Sequence, residues 1–119
     1  MQISLGADQL GRLVCAIAEG SEGATVTASD LPEAAAGLLA AIETVKTSGM
    51  SECYWHEGGG EYRWVFRRMD DDVRIAVLWS AGTLTGWEHV FWAETNLAEF
   101  DRIVHEEIEN KGITLAART

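Results

Sequence analysis

Cys53 and His56 have the types and the spacing that come nearest to chemistry. A thiol and an imidazole three residues apart could bind one metal ion or form a nucleophile–base pair. A tetrahedral metal site needs two further ligands, and the other histidines, His89 and His105, are isolated in the sequence. Residues three apart on a strand point to opposite faces, which disfavours a Cys–His dyad. We therefore predict no metal, no cofactor and no enzymatic activity.

Two turn motifs could also bind ligands. Gly58–Gly60 is rich enough in glycine for a phosphate loop, but such a loop leads from a strand into a helix, whereas this one joins two predicted strands. Asp70, Asp71 and Asp72 could bind Ca²⁺, but a calcium loop spreads its ligands over about a dozen residues. Asp is common in tight turns, so we interpret both motifs as hairpin turns.

The charge distribution is the most informative feature of the 119 residues. Nineteen acidic and nine basic residues give a net charge of −10, which disfavours binding to nucleic acid and to anionic membranes. Hydrophobic residues make up 47% of the chain, which indicates a folded domain. The longest apolar run, Leu13 to Ala18, is too short to span a membrane. Without a recognisable leader, a cytoplasmic location is expected.

Four of the nine basic residues fall within residues 63–80. Arg63, Arg67 and Arg74 are predicted to share one face of a hairpin, where they could bind an anionic ligand or an acidic patch on a partner. The alternative is that neighbouring carboxylates neutralise them in a surface network. The candidates for that network are Glu52, Glu57, Glu61 and Glu94.

A second group of candidate residues would bind a basic protein partner. Its members are the acidic residues near the hairpin ends and one tryptophan: Asp70, Asp71, Asp72, Trp87, Glu88 and Glu94. Trp87 follows a connection from Ser80 to Gly86 that is long enough to protrude, and an exposed tryptophan is a typical interface anchor. Alternatively, Trp87 packs over the edge of the core.

The elements that must position these residues follow from hydrophobic periodicity. Residues 7–19 are predicted as a helix that begins at Asp8 and ends at Gly20, and residues 31–48 as a second helix with an Asp30 cap. Asn96 caps a third helix, which ends near Gly112. Met1–Leu5 is predicted as a short strand, and residues 21–29 are either a short strand or an extended connection.

Four strands are predicted at about residues 52–57, 61–69, 73–80 and 88–95. Facing residues of an antiparallel pair share a side of the sheet, and only a two- or four-residue loop pairs apolar residues with apolar residues. This parity places Arg67 opposite Arg74. It also predicts a core face, made of Tyr62, Trp64, Phe66, Val73, Ile75, Val77 and Trp79.

Together these elements predict one α+β domain over residues 1–119. Its centre is a four-stranded antiparallel meander at about residues 52–95, with the N-terminal and C-terminal helices packed on one face. Short N-terminal strands are left open. Cys15 and Cys53 fall in different elements and are expected to be free thiols.

Residues 60–112 resemble a pattern seen in small bacterial cytosolic proteins. The pattern consists of the strand Gly60–Arg68, the acidic turn, the strand Val73–Trp79 and the capped C-terminal helix. Some such proteins resemble immunity proteins of polymorphic or contact-dependent toxin systems, which bind a cognate toxin domain and block its active site. The resemblance transfers no individual site residue.

The function expected from this resemblance is that of a non-enzymatic immunity protein or antitoxin. It would bind and block a basic toxin such as a nuclease, because complementary charge accelerates association. One alternative is a small-ligand-binding domain, or an enzyme of unknown activity, that uses the aromatic sheet face and the arginine cluster. Another is a homodimer paired through an edge strand.

Overall fold

The computed structural model of the chain describes residues 1–82 and 86–117. It is an α+β fold with two antiparallel sheets, one in the order β1-β2-β3 and one in the order β4-β5-β6-β7. The elements are β1 (Gln2–Ala7), β2 (Leu13–Glu19), β3 (Glu22–Ala28), α1 (Leu31–Ser48), β4 (Met50–Glu57), β5 (Gly60–Met69), β6 (Asp72–Ser80), β7 (Glu88–Asn96) and α2 (Leu97–Asn110). Within these residues, no helix is both long enough and apolar enough to cross a membrane.

The β5–β6 hairpin has the register that parity predicts. Trp64 lies opposite Val77 and Arg67 lies opposite Arg74. Met69 and Asp72 form the last pair, so the loop is the two-residue type. Asp70 adopts the left-handed region at φ 56°, which Asp tolerates better than most residues. The meander is therefore set by the alternation of apolar residues and by the acidic turn.

The prediction of a helix at residues 7–19 is wrong, because most of this segment forms the strand β2. Leu13, Cys15 and Ile17 are buried at alternating positions, while Leu10, which the helix would have buried, is 79% exposed. Asp8 closes a turn instead of capping a helix, since its Oδ1 accepts from the backbone N–H groups of Leu10 and Arg12, each at 2.9 Å. A sheet therefore replaces the expected N-terminal helix, and residues 22–28 form its third strand.

Both capped helices are confirmed. The Asp30 side chain accepts from the Glu33 N–H at 3.2 Å to begin α1, and Gly49 ends the helix at φ 81°. Asn96 accepts from the Glu99 N–H at 2.9 Å in the same way to begin α2.

One hydrophobic core joins the two sheets and the two helices. Trp55, Trp64 and Phe66 lie on its four-stranded side, each 1% exposed or less, and the Phe66 ring is 5.8 Å from the Phe100 ring of α2. The inner face of the large sheet is therefore closed, with Tyr62 and Trp79 half-buried at its end.

Helix α2 also covers the outer edge of β1. Glu107 Oε1 accepts from the Leu5 N–H at 3.0 Å, and Lys111 Nζ donates to the Leu5 carbonyl at 3.0 Å. Lys111 also donates to Glu107 at 3.0 Å. Side chains thus satisfy backbone groups that an edge strand would otherwise expose.

Glu107→Gln is expected to flatten the loss of stability on acidification. The Lys111 ammonium, followed by the Leu5 N–H, holds the pKa of Glu107 below its ordinary value of 4.5. The carboxylate therefore stabilises the fold above the unfolded-state pKa, and this contribution is lost as the pH falls through the folded-state pKa. Glutamine still accepts from Leu5 but does not titrate. Urea denaturation at a series of pH values from neutral down to below 4.5 measures the free energy of unfolding of both proteins.

Glu109→Gln is the matched control, because Glu109 is exposed on the same helix. If Glu107→Gln loses as much stability on acidification as the unmodified chain does, this explanation is contradicted.

Candidate protein-binding surface

The side of the four-stranded sheet that faces away from the core is exposed, and we call it the outer face. The alternation of the strands builds it from Met50, Glu52, Tyr54, Arg63, Val65, Arg67, Arg74, Ala76, Leu78, Trp92 and Glu94. Its large apolar side chains are unusually accessible, with Met50 60%, Tyr54 42% and Trp92 43% exposed. Trp87, just before β7, is 41% exposed. This surface is the largest concentration of exposed aromatic residues among the described residues.

The side chains of the outer face form two glutamate–arginine–tryptophan triads. In the first, Arg63 donates to Glu52 Oε2 from Nε at 3.0 Å and from Nη2 at 2.6 Å, and its guanidinium carbon lies 5.8 Å from the centre of the Trp87 ring. Tyr54 donates its hydroxyl to Glu52 Oε1 at 2.9 Å, and its ring centre is 6.5 Å from that of Trp87. Arg63 and Tyr54, in that order of importance, lower the pKa of Glu52.

The second triad repeats the arrangement across β6 and β7. Arg74 donates to Glu94 Oε1 from Nε at 3.0 Å and from Nη2 at 2.7 Å, and it lies 5.8 Å from the centre of the Trp92 ring. Each arginine is thus held between a carboxylate and an indole, the two groups that a planar guanidinium contacts best.

The predicted arginine cluster is largely neutralised by its neighbours. Glu52 pairs with Arg63 and Glu94 pairs with Arg74, as the surface-network alternative expects. Within the described part of the chain, Arg67 has no carboxylate at ion-pair distance and is exposed. Anion binding by all three arginines would compete with two existing ion pairs.

The predicted partner-binding residues, apart from Glu94 in the second triad, divide between the two ends of the four-stranded sheet. Asp70 and Asp71 form the β5–β6 turn, and Asp72 is the first residue of β6. Trp87 and Glu88 lie at the opposite end, about 26 Å away at roughly 3.3 Å per strand residue. The outer face thus carries aromatic and arginine side chains with acidic residues at the β5–β6 turn, whereas Glu88, which pairs with Trp79, is on the core-facing side of the sheet.

Trp87 packs on the outer face, beside Arg63 and Tyr54, and not over the edge of the core. Part of the connection before it, residues 83–85, lies outside the described residues. Trp92 was missed as a site residue, although its position between the buried Phe91 and Ala93 was readable as outward-facing.

Nucleophilic chemistry finds little support in the geometry. Cys53 is buried while the His56 side chain is 79% exposed, so the two point to opposite faces as predicted. Burial raises the pKa of the Cys15 thiol to about 12, which keeps it protonated and unreactive. A cavity of about 540 Å³ lies at the end of the sheet beside Gly58–Gly60, Glu61 and Trp87.

Glu43, Asp101 and His105 are the described residues whose ligand atoms could converge on a metal ion. Lys46 places its ammonium among them, 2.8 Å from Glu43 and 2.7 Å from Asp101. This cluster already contains a cation, and its effect is to join α1 to α2.

Comparison with protein-family models, with curated proteins and with solved structures found no match to this chain. The class of the protein is therefore defined by its own geometry. It is an α+β domain that exposes an ordered aromatic and arginine-rich sheet face.

Proposed function

We propose that this chain is a non-enzymatic protein-binding module that uses the outer face to bind a basic protein. Following the resemblance of residues 60–112, the proposed role is that of a cytoplasmic immunity protein or antitoxin that blocks a basic toxin such as a nuclease. The observation that carries the proposal is the exposure of Trp87, Trp92, Tyr54 and Met50 on one face.

The composition of the outer face supports protein binding. Trp, Tyr, Met and Arg are the residues enriched in interfaces, and Trp, Tyr and Arg dominate binding hot spots. The two triads hold these side chains in place before a partner arrives. Ordering that is already present in the free protein reduces the entropy cost of association.

The charge supports a basic partner. The chain has a net charge of −10, and Asp70, Asp71 and Asp72 lie at the β5–β6 end of the outer face. Such a field accelerates encounter with a positively charged protein, most strongly at low salt. The paired arginines at the centre contribute contact area and little net charge, so they do not oppose this attraction.

Trp92→Ala is expected to weaken partner binding about 30-fold, since truncating a tryptophan at a binding hot spot typically costs about 2 kcal/mol. The partner to test is the product of the adjacent gene, co-expressed and co-purified with this chain. Calorimetry at low salt then measures the affinities of the unmodified chain and the variant. Thr25→Ala is the matched control, because Thr25 is exposed on the other sheet.

Two outcomes would contradict the proposal. One is the absence of a complex at low salt with the products of both neighbouring genes. The other is a complex that Trp92→Ala leaves as tight as the Thr25 control does.

A further inference from the structure

The edges of the two sheets differ in how they are protected. The β1 edge is covered by Glu107 and Lys111, and β3 lies against β7 and β4. β4 is an edge strand of the large sheet. Beside it runs a groove of about 400 Å³, which we call the β4 groove and which lies between Ser51–Tyr54 and the Gly37, Ala40 and Thr44 side of α1.

Hydrogen bonds at the two ends of β4 show which way its backbone groups point. The Gly49 carbonyl accepts from the Arg68 N–H, on the β5 side. The His56 carbonyl accepts from the Ser29 N–H, on the opposite side. Because direction alternates along a strand, Glu52 and Tyr54 direct their N–H and C=O groups away from β5. Within the described residues, no strand pairs with β4 on that side.

The part of α1 that faces these backbone groups has only small side chains. Gly37 and Ala40 of α1 carry no side chain or a single methyl group, so α1 leaves space next to the strand edge. An exposed edge beside a helix is the arrangement in which extended peptides add a strand, with main-chain hydrogen bonds supplying affinity.

We propose that the β4 groove binds an extended segment of a basic protein partner as a fifth strand of the large sheet. Glu33 and Glu52 line the groove, and Glu52 is paired with Arg63, so it is the net charge of −10 on the whole chain that favours a basic occupant. A second copy of this chain would bring another −10 charge to an acidic molecule, which disfavours self-pairing. The partner's charge rests on the proposed function, whereas the strand-addition geometry stands on β4 alone.

The test uses the full chain labelled with ¹⁵N and three blocked pentapeptides. The first alternates Lys and Val, the second alternates Glu and Val, and the third is the Lys–Val peptide with N-methyl groups on alternate residues. At low salt, the Lys–Val peptide is expected to shift the Glu52 and Tyr54 amide signals and slow their hydrogen exchange. Binding of the Glu–Val peptide is expected to be about tenfold weaker.

Two variants separate backbone pairing from side-chain contact. Tyr54→Pro removes an N–H that does not bond to β5, so it should abolish peptide binding while leaving the β4–β5 pairing intact. Tyr54→Ala removes the same side chain but keeps the N–H, so the proline variant is expected to bind the peptide more weakly than the alanine variant does. Circular dichroism verifies both folds, and if the proline variant unfolds, the N-methylated peptide still decides, because it should not bind.

Three outcomes would overturn the proposal: no change at Glu52 and Tyr54, equal binding of the N-methylated peptide, or protection of both amides by dimerisation without peptide. Each of these leaves the outer-face proposal standing, because that depends on Trp92→Ala and the co-expressed partner. If Trp92→Ala has no effect while the Lys–Val peptide binds at β4, the outer-face proposal fails and strand addition remains.

Discussion

Trp64→Ala is expected to lower the free energy of unfolding by about 4 kcal/mol, the usual cost of truncating a buried aromatic side chain. Trp64 is 1% exposed, and its ring centre lies 5.0 Å from that of Trp55 and 6.1 Å from that of Phe66. Alanine would leave a cavity between two rings that cannot collapse into it without moving β4 and β5. Urea denaturation followed by far-UV circular dichroism measures the loss.

Trp64→Phe is expected to cost far less than the alanine variant. The Trp64 indole N–H is buried with no hydrogen-bond partner within the described residues, and such a donor typically costs about 1–3 kcal/mol. Phenylalanine removes this donor and keeps most of the ring contacts. Trp92→Phe on the outer face is the control and should be nearly neutral. Equal losses for Trp64→Phe and Trp64→Ala would contradict this expectation.

Gly60→Ala is expected to destabilise the protein by about 3 kcal/mol, because the new methyl group has no space. A Cβ atom at position 60 would lie 2.5 Å from the Ser80 carbonyl oxygen and 2.6 Å from the Trp79 ring. The backbone oxygen cannot rotate away, and Trp79 is held against Tyr62, with ring centres 4.7 Å apart. Thermal and urea unfolding of the variant measure the cost.

Gly59→Ala is the control for this substitution, because nothing lies within 4 Å of a Cβ atom at position 59. It should change stability by less than about 0.5 kcal/mol, as exposed substitutions usually do. If Gly60→Ala and Gly59→Ala have the same free energy of unfolding, close packing against β6 does not explain the glycine at position 60.

The glycine triplet illustrates how far the sequence alone could lead. It predicted the hairpin turn correctly, yet it could not show that Gly60 is already part of β5 and touches the end of β6. That contact depends on where Trp79 and Ser80 lie across the sheet, so no local rule at residues 58–60 contains it.

The large sheet was predictable because its strands are neighbours in sequence and alternate cleanly. Parity alone set Trp64 against Val77. Residues 7–19 were not predictable in this way, because Leu10, Leu13, Val14 and Ile17 fit a helix while Leu13, Cys15 and Ile17 fit a strand equally well. Residues 13–19 form a strand because they pair with β1 and β3, and these pairings cannot be seen in the local sequence.

The outer face was only half predictable. The hairpin register placed Arg63, Arg67 and Arg74 on one side, and the candidate carboxylates included Glu52 and Glu94. Which arginine each carboxylate pairs with depends on where β4 and β7 lie in the sheet. Trp87 and Trp92 could each have been assigned to the core on composition. Their exposure emerges only once the core is already filled by Trp55, Trp64 and the phenylalanines.

The cover that α2 provides for β1 also sets an order of events during synthesis. β1 leaves the ribosome before Glu107 and Lys111, which satisfy its edge at Leu5 and lie more than 100 residues further along the chain. Until they emerge, the nascent three-stranded sheet carries an open edge on which another growing chain could pair. The period of greatest aggregation risk is therefore the translation of residues 29–111, and it ends when α2 docks.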